Sequence, residues 1–196
     1  MKTIFLFIFL FVVNLCTAQM RPIIIVFKTG DTIRGVGKLK IKSVKYKDEL
    51  NDGEPKEFEF SEIEIVKLVV PQNKSVNYKF FKIKENSEYL PFVEEVSGEK
   101  VSLYTTTSSS LPLSSPTSAS VGFVNSITNY YAKRKTEEFP TLLGKYGTIN
   151  NFKDKVLNYF DDCEKLVNKI KNKNLRVKHG LGMPEIIEFY NANCAN

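Results

Sequence analysis

The sequence predicts an α+β protein, with a strongly curved or barrel-like antiparallel β-sheet followed by two C-terminal α-helices. Three observations predict it. From Pro22 to about Arg134, short runs of apolar and β-branched residues alternate with turn residues. Gly35 and Gly37 fall inside one such run, where a strand bends or another backbone comes close. From Phe152 onward the apolar residues recur at helical spacing instead.

The elements follow in order. "PIIIVFK" is a continuous apolar run, and "TGD" after it is a tight turn in which Gly30 supplies the positive φ. In "TIRGVGKLKIK", Ile33, Gly35, Gly37, Leu39 and Ile41 share one strand face, and Arg34, Lys38 and Lys40 share the other. "SVKYK" places Val44 and Tyr46 together, and "EFEF" alternates after the turn "LNDGEP". In "EIEIVKLVV" the apolar phase slips between Ile65 and Val66, which predicts a bulge, and the adjacent Phe80 and Phe81 predict another. "YLPFVEEV" and "VSLYT" continue the series. The Ser/Thr-rich stretch at about 105–122 has no periodicity and is expected to be a loop: a lid, a modified segment or a plain connection. "VNSITNYYAKRK" returns as a strand with Ile127 and Tyr131 on one face.

The helical part reads as a hairpin over 150–196, after a linker at 135–149 and a β domain at 19–134. Phe152, Val156, Tyr159, Phe160, Cys163, Leu166, Val167 and Ile170 form one amphipathic stripe, with Asn150 or Asn151 able to cap its start. Lys165, Lys169, Lys171 and Lys173 suit its C-terminal end, where the helix dipole favours cations. "HGLG" breaks the helix, and Pro184 and Glu185 open the next one. Ile187, Tyr190 and Cys194 share its face.

Residues 1–18 read as a secretory signal peptide: Lys2, the apolar run "IFLFIFLFVV", and Cys16 and Ala18 as the small residues before a cut preceding Gln19. Leu15 before Cys16 argues against lipidation at that cysteine. The run is shorter than the roughly 20 residues that span a bilayer, and no second run follows, so no transmembrane segment is expected after cleavage. The expected address is therefore outside the cytoplasm: the periplasm, the outer membrane or the medium. The formal charge of the whole chain is +6. With lysines spread along the sequence, this favours solubility, or else attraction to anionic surfaces. Nucleic acid is not an expected partner of an exported protein. An envelope protein, a lipid or an anionic glycan is.

Only Cys163 and Cys194 remain once the leader is removed. Two cysteines on apolar helix faces of an exported protein point first to a disulfide. Unpaired structural cysteines and a reactive thiol are the alternatives. Asp161, Asp162 and Glu164 beside Cys163 oppose a thiolate, and the single histidine, His179, lies in a turn. No metal, cofactor or catalytic set is expected. The chain lacks a nucleophile elbow, and "GVGKLK" lacks phosphate-loop spacing. Glu57, Glu59, Glu62 and Glu64 alternate along one stretch, where a carboxylate pair could do glycosidase chemistry but a solvated strand face is the simpler cause.

"KTGDTIRG", "SLYTTT", "NYYAKRK", "YFDDCEKLVNKIKNK" and "EIIEFYNANC" occur in that order. With them the chain resembles a group of small, uncharacterised exported proteins of Gram-negative bacteria, whose leaders end in Ala-Gln, as at Ala18-Gln19. The resemblance covers most of the mature chain. It matches Cys163 and Cys194 to the group's cysteine pair, and implies no activity, cofactor or catalytic residue. The Ser/Thr-rich loop is longer than the resemblance implies. The expected function is a non-enzymatic binding or structural module of the cell envelope. The alternative is a small-ligand or lipid carrier with a cavity in the β domain.

Overall fold

The computed structural model describes residues 20–49, 53–70, 74–110, 125–146, 151–177, 180 and 182–194. The leader with Cys16, the turn residue His179 and the centre of the Ser/Thr-rich stretch at 111–124 lie outside the described residues. The strands are β1 (Arg21–Phe27), β2 (Thr32–Leu39), β3 (Ser43–Lys47), β4 (Lys56–Glu59), β5 (Ile63–Val70), β6 (Lys74–Phe81), β7 (Leu90–Val96), β8 (Val101–Ser110), β9 (Asn125–Arg134) and β10 (Thr141–Lys145). The helices are α1 (Phe152–Tyr159), α2 (Glu164–Lys171) and α3 (Met183–Asn193). All ten strands form one antiparallel sheet in the order β10-β9-β8-β7-β6-β5-β1-β2-β3-β4. The sheet curves but does not close, which corrects the barrel-like expectation: β4 and β10 are left as its edges.

Cross-strand partners point to the same face, so the register sorts the side chains. One face carries two cores. The first is built from Ile23, Ile25, Val44, Tyr46, Phe60, Ile63, Val66, Leu68 and Phe80. Curling of the sheet covers it. Phe27 of β1 meets Phe58 of β4 edge-on at 5.0 Å, and Phe60 stacks on Phe80 of β6 at 4.4 Å. The glycines permit this bend. A Cβ at Gly37 would lie 3.1 Å from the Ile23 side chain and against the Lys45 carbonyl, while one at Gly35 would strike the Tyr46 ring at 2.7 Å. Ile41, expected inward with them, lies in the β2–β3 turn and is 87 % exposed.

The second core lies under the helices. Val101 and Leu103 of β8, Ala132 of β9 and Leu143 of β10 meet Phe152, Val156, Phe160, Leu166, Ile170, Ile186 and Ile187. The stripe expected to be one helix is two. The chain turns at Phe160–Asp162, and Cys163 occupies the N-cap position of α2. Asn151 precedes α1 with φ 61°, and its side chain makes no cap hydrogen bond. Pro184 lies in the first turn of α3, with Glu185 at its positive end, as expected.

Other expectations shift by a few residues. The β5 bulge lies at Glu64: Val26 pairs with Ile65 and Phe27 with Ile63, so Ile63 and Val66 both face the core. No register shift occurs at Phe80–Phe81, which simply alternate to opposite faces. The segment expected as a loop from 105 is strand through Ser110, paired residue by residue with β9 from Thr105↔Tyr130 to Ser110↔Asn125. The expected linker at 135–149 contains β10, which pairs with β9.

Candidate functional site

The sheet face opposite the two cores is where charged and aromatic residues converge. Its rows read Ile65–Lys79–Phe92 across β5, β6 and β7, then Glu94–Tyr104–Tyr131 across β7, β8 and β9, then Ser102–Lys133 across β8 and β9. Phe92 is fully buried, 5.0 Å from the Tyr131 ring. Phe81 meets Tyr104 edge-on at 5.0 Å. Beside these rings opens a groove of about 480 Å³, whose lining includes Phe81, Tyr104, Glu64, Lys79, Ser102 and Lys133.

The charges in this groove are arranged around Lys79. Its Nζ lies 3.7 Å from Glu64 Oε1 and 3.8 Å from Glu94 Oε1. The Glu94 side chain is 9 % exposed, and its Oε1 accepts no hydrogen bond. Lys133 lies over the Phe81 ring, 5.6 Å from its centre, and donates to the neutral Glu137 carbonyl. Burial holds the Lys133 ammonium below the usual lysine range, and repulsion from Lys79 adds to this against the pull of Glu137 and Glu64. Burial pushes the Tyr104 hydroxyl up to about 12, with Glu94 and Glu64 adding to it and a Ser102 hydrogen bond opposing.

Glu64 and Glu94 share the Lys79 ammonium, and Glu94 sits beneath the surface. The carboxylates singled out in the sequence do not converge. Glu57 on β4 takes Lys40 and Ser43, and the Lys40 hydrogen bond holds its carboxyl below the usual range. Glu59 and Glu62 close the turn into β5, where the Glu59 N–H donates to Glu62 Oε2. Only Glu64, lifted by the bulge, faces the groove.

Cys163 and Cys194 are joined in a disulfide, with Cα atoms 5.5 Å apart. It links the start of α2 to the end of α3 rather than two facing stripes. Asp162 is exposed and also anchors the helices to the sheet. Arg134 of β9 donates to Asp162 Oδ1 and to the Tyr159 carbonyl, both at 2.8 Å, and lies over the Tyr159 ring. Tyr190 donates to Asp162 Oδ2, and Tyr159 donates to Glu137. Among the described residues no helix is long and apolar enough to cross a membrane.

Sequence reasoning missed Lys79, Glu94, Tyr104 and Lys133. The available signal was the alternation in "YKFF", "PFVEEV", "VSLYT" and "YYAKR", which puts Lys79 with Phe81, Phe92 with Glu94, Ser102 with Tyr104, and Tyr131 with Lys133 on one face of each strand. Only the strand order places those residues on one patch. The chain matches no protein-family model, no curated protein and no solved structure.

Proposed function

We propose that the chain is an exported cell-envelope protein, released from its leader after Ala18, with a non-enzymatic binding role. The observation that carries this reading is the Cys163–Cys194 bond, because such bonds persist in oxidising compartments. The groove on the sheet is its binding surface, and an anionic glycan is the occupant that its chemistry favours. Phe81 and the buried Tyr104 floor the groove with aromatic rings, and the Lys133 ammonium stands over Phe81. Lys133 donates to a carbonyl rather than to a carboxylate, which leaves its charge for an anion. The carrier alternative rests on a pocket of about 680 Å³ at the mouth of the concave face, lined by Ile33, Tyr46 and Phe58 among others, while Ile25, Val44, Ile63 and Val66 are buried behind it.

Calorimetric titration with acidic oligosaccharides tests the reading, using alginate and chondroitin fragments as probes. The expected result is binding that Lys133→Met weakens about tenfold, the scale of one charge-assisted hydrogen bond. Neutral oligosaccharides of the same length bound equally well would exclude the anionic ligand. Recovery of the protein in the cytoplasm with its leader intact would exclude export.

A further inference from the structure

The distribution of positive charge is uneven once the chain is folded. Between 165 and 184 the sequence holds Lys165, Lys169, Lys171, Lys173, Arg176 and Lys178 and no carboxylate. The first five are described, and all are exposed. They lie on α2 and the turn that follows it, while Leu166 and Ile170 face the core. None of the five forms an ion pair with a described carboxylate. Three lysines of the sheet region do find carboxylates: Lys40 pairs with Glu57, Lys42 with Glu88, and Lys79 with Glu64 and Glu94.

A second observation concerns the backbone. Lys173 ends α2 in the left-handed region, with φ 61°. The Asn174 and Leu175 N–H groups both donate to the Lys169 carbonyl around this turn. Such helix-ending positions normally take glycine, because a Cβ is strained there. A lysine at this point costs stability and adds a charge to the patch.

We infer that this basic surface docks the protein onto an anionic phospholipid membrane. The patch is a convex helix face and turn rather than a groove, so it suits a broad charged plane. Among its described residues there is no free aromatic platform for stacking bases: Phe189 is partly buried and lies under Lys169 at 4.9 Å. Each basic side chain near such a surface strengthens partitioning about fivefold. The inference does not depend on what the sheet groove binds, because the two surfaces share no residue.

Flotation of the disulfide-bonded protein with vesicles tests it. The expected result is binding to phosphatidylglycerol–phosphatidylcholine vesicles, no binding to pure phosphatidylcholine, and release in high salt, where screening shortens the reach of the charges. Lys169→Gln with Lys171→Gln should weaken partitioning about 25-fold. Lys173→Gly separates the roles: it should raise or preserve the melting temperature while weakening partitioning about fivefold. Lys133→Met, in the groove, should leave partitioning unchanged. Equal binding to neutral vesicles, no binding to either vesicle, or full binding by the lysine variants would overturn the inference. So would duplex DNA that binds the patch and displaces the protein from vesicles.

Discussion

The two halves of this sheet close the same face by different means. From β1 to β6, covering is done by the sheet itself, as β4 rolls over until Phe58 reaches Phe27 and Phe60 reaches Phe80. From β8 to β10 the covering is done by three helices, two of them tied by a disulfide. Strand length explains the difference. β3 and β4 have five and four residues, and β2 beside them carries two inward glycines. Short strands flanking a side-chain-free patch can coil tightly. β8 and β9 have ten residues each and pair without a register shift along their whole length. A ribbon of that kind does not fold over its own face, so separate elements must cover it. Each half therefore has its own weak point.

The most disruptive test removes the residue that closes the curl. Phe60 is 1 % exposed and stands in the turn between β4 and β5. Phe60→Ala should cost about 3–5 kcal/mol, the usual range for a buried phenylalanine. Hydrogen exchange should show the loss first in β1, β3 and β4, with α3 still protected. Equal loss in both halves would show that the two cores open as one.

The matching test in the other half is reduction of Cys163–Cys194. The bond closes a segment with a separation of 31 residues. By the chain-entropy argument its removal costs about 3–4 kcal/mol. Cys163→Ser and Cys194→Ser should lower the melting temperature similarly, and the double variant should be no worse than either, since one bond is lost in each case. Exchange should rise in α2 and α3 while the Phe60–Phe80 region keeps its protection. Two free thiols in the denatured, unreduced protein from its native compartment would remove the bond, and with it the main support for export.

A pH titration probes the face that both halves share. Tyr104 has its hydroxyl raised to about 12 by burial. A group whose folded value is raised contributes stability that is complete below the unfolded value, near 10, and disappears as pH climbs through the folded value. The protein should therefore lose about 2–3 kcal/mol from this residue between roughly pH 10 and 12. Tyr104→Phe should make that part of the curve less steep, leaving the share of Tyr159 and the other tyrosines that burial raises. If wild type and variant share one alkaline profile, the hydroxyl reaches water and the groove floor is wetter than its geometry implies.

Legibility in the sequence followed how local the determining interactions were. Strands announced by alternation and turn chemistry, such as "SVKYK" and "TGD", fall where they were expected. Gly30 has φ 94° in its turn, and Val44 and Tyr46 are buried together. The disulfide was legible because so few cysteines were available. Non-local features were not. Polar Ser and Thr at 105–110 form a strand because β9 supplies the partner groups, which local composition does not reveal. The break at Phe160–Asp162 was hidden because the apolar stripe continues across it on both helices. The anchoring role of Asp162 was hidden because its partners, Arg134 and Tyr190, lie 28 residues away in either direction.

That pair gives the smallest and most specific test, because it joins the two kinds of closure at one point. Arg134 belongs to the sheet and Asp162 to the helical cover. Asp162 is 45 % exposed and Arg134 28 %, so solvent screens much of their attraction. The pair itself should contribute about 1 kcal/mol or less, with the Tyr190 hydrogen bond adding a similar amount. Asp162→Asn keeps an acceptor for Tyr190 and removes the charge, so it should shift the melting temperature by no more than about 2–4 °C. Asp162→Ala removes both and should shift it further. In a double-mutant cycle with Arg134→Met, the coupling energy should shrink as salt is raised. A coupling that is large and insensitive to salt would mean that the site is drier than its exposure suggests. The helices would then be held to the sheet mainly by this pair, rather than by the apolar contacts beneath them.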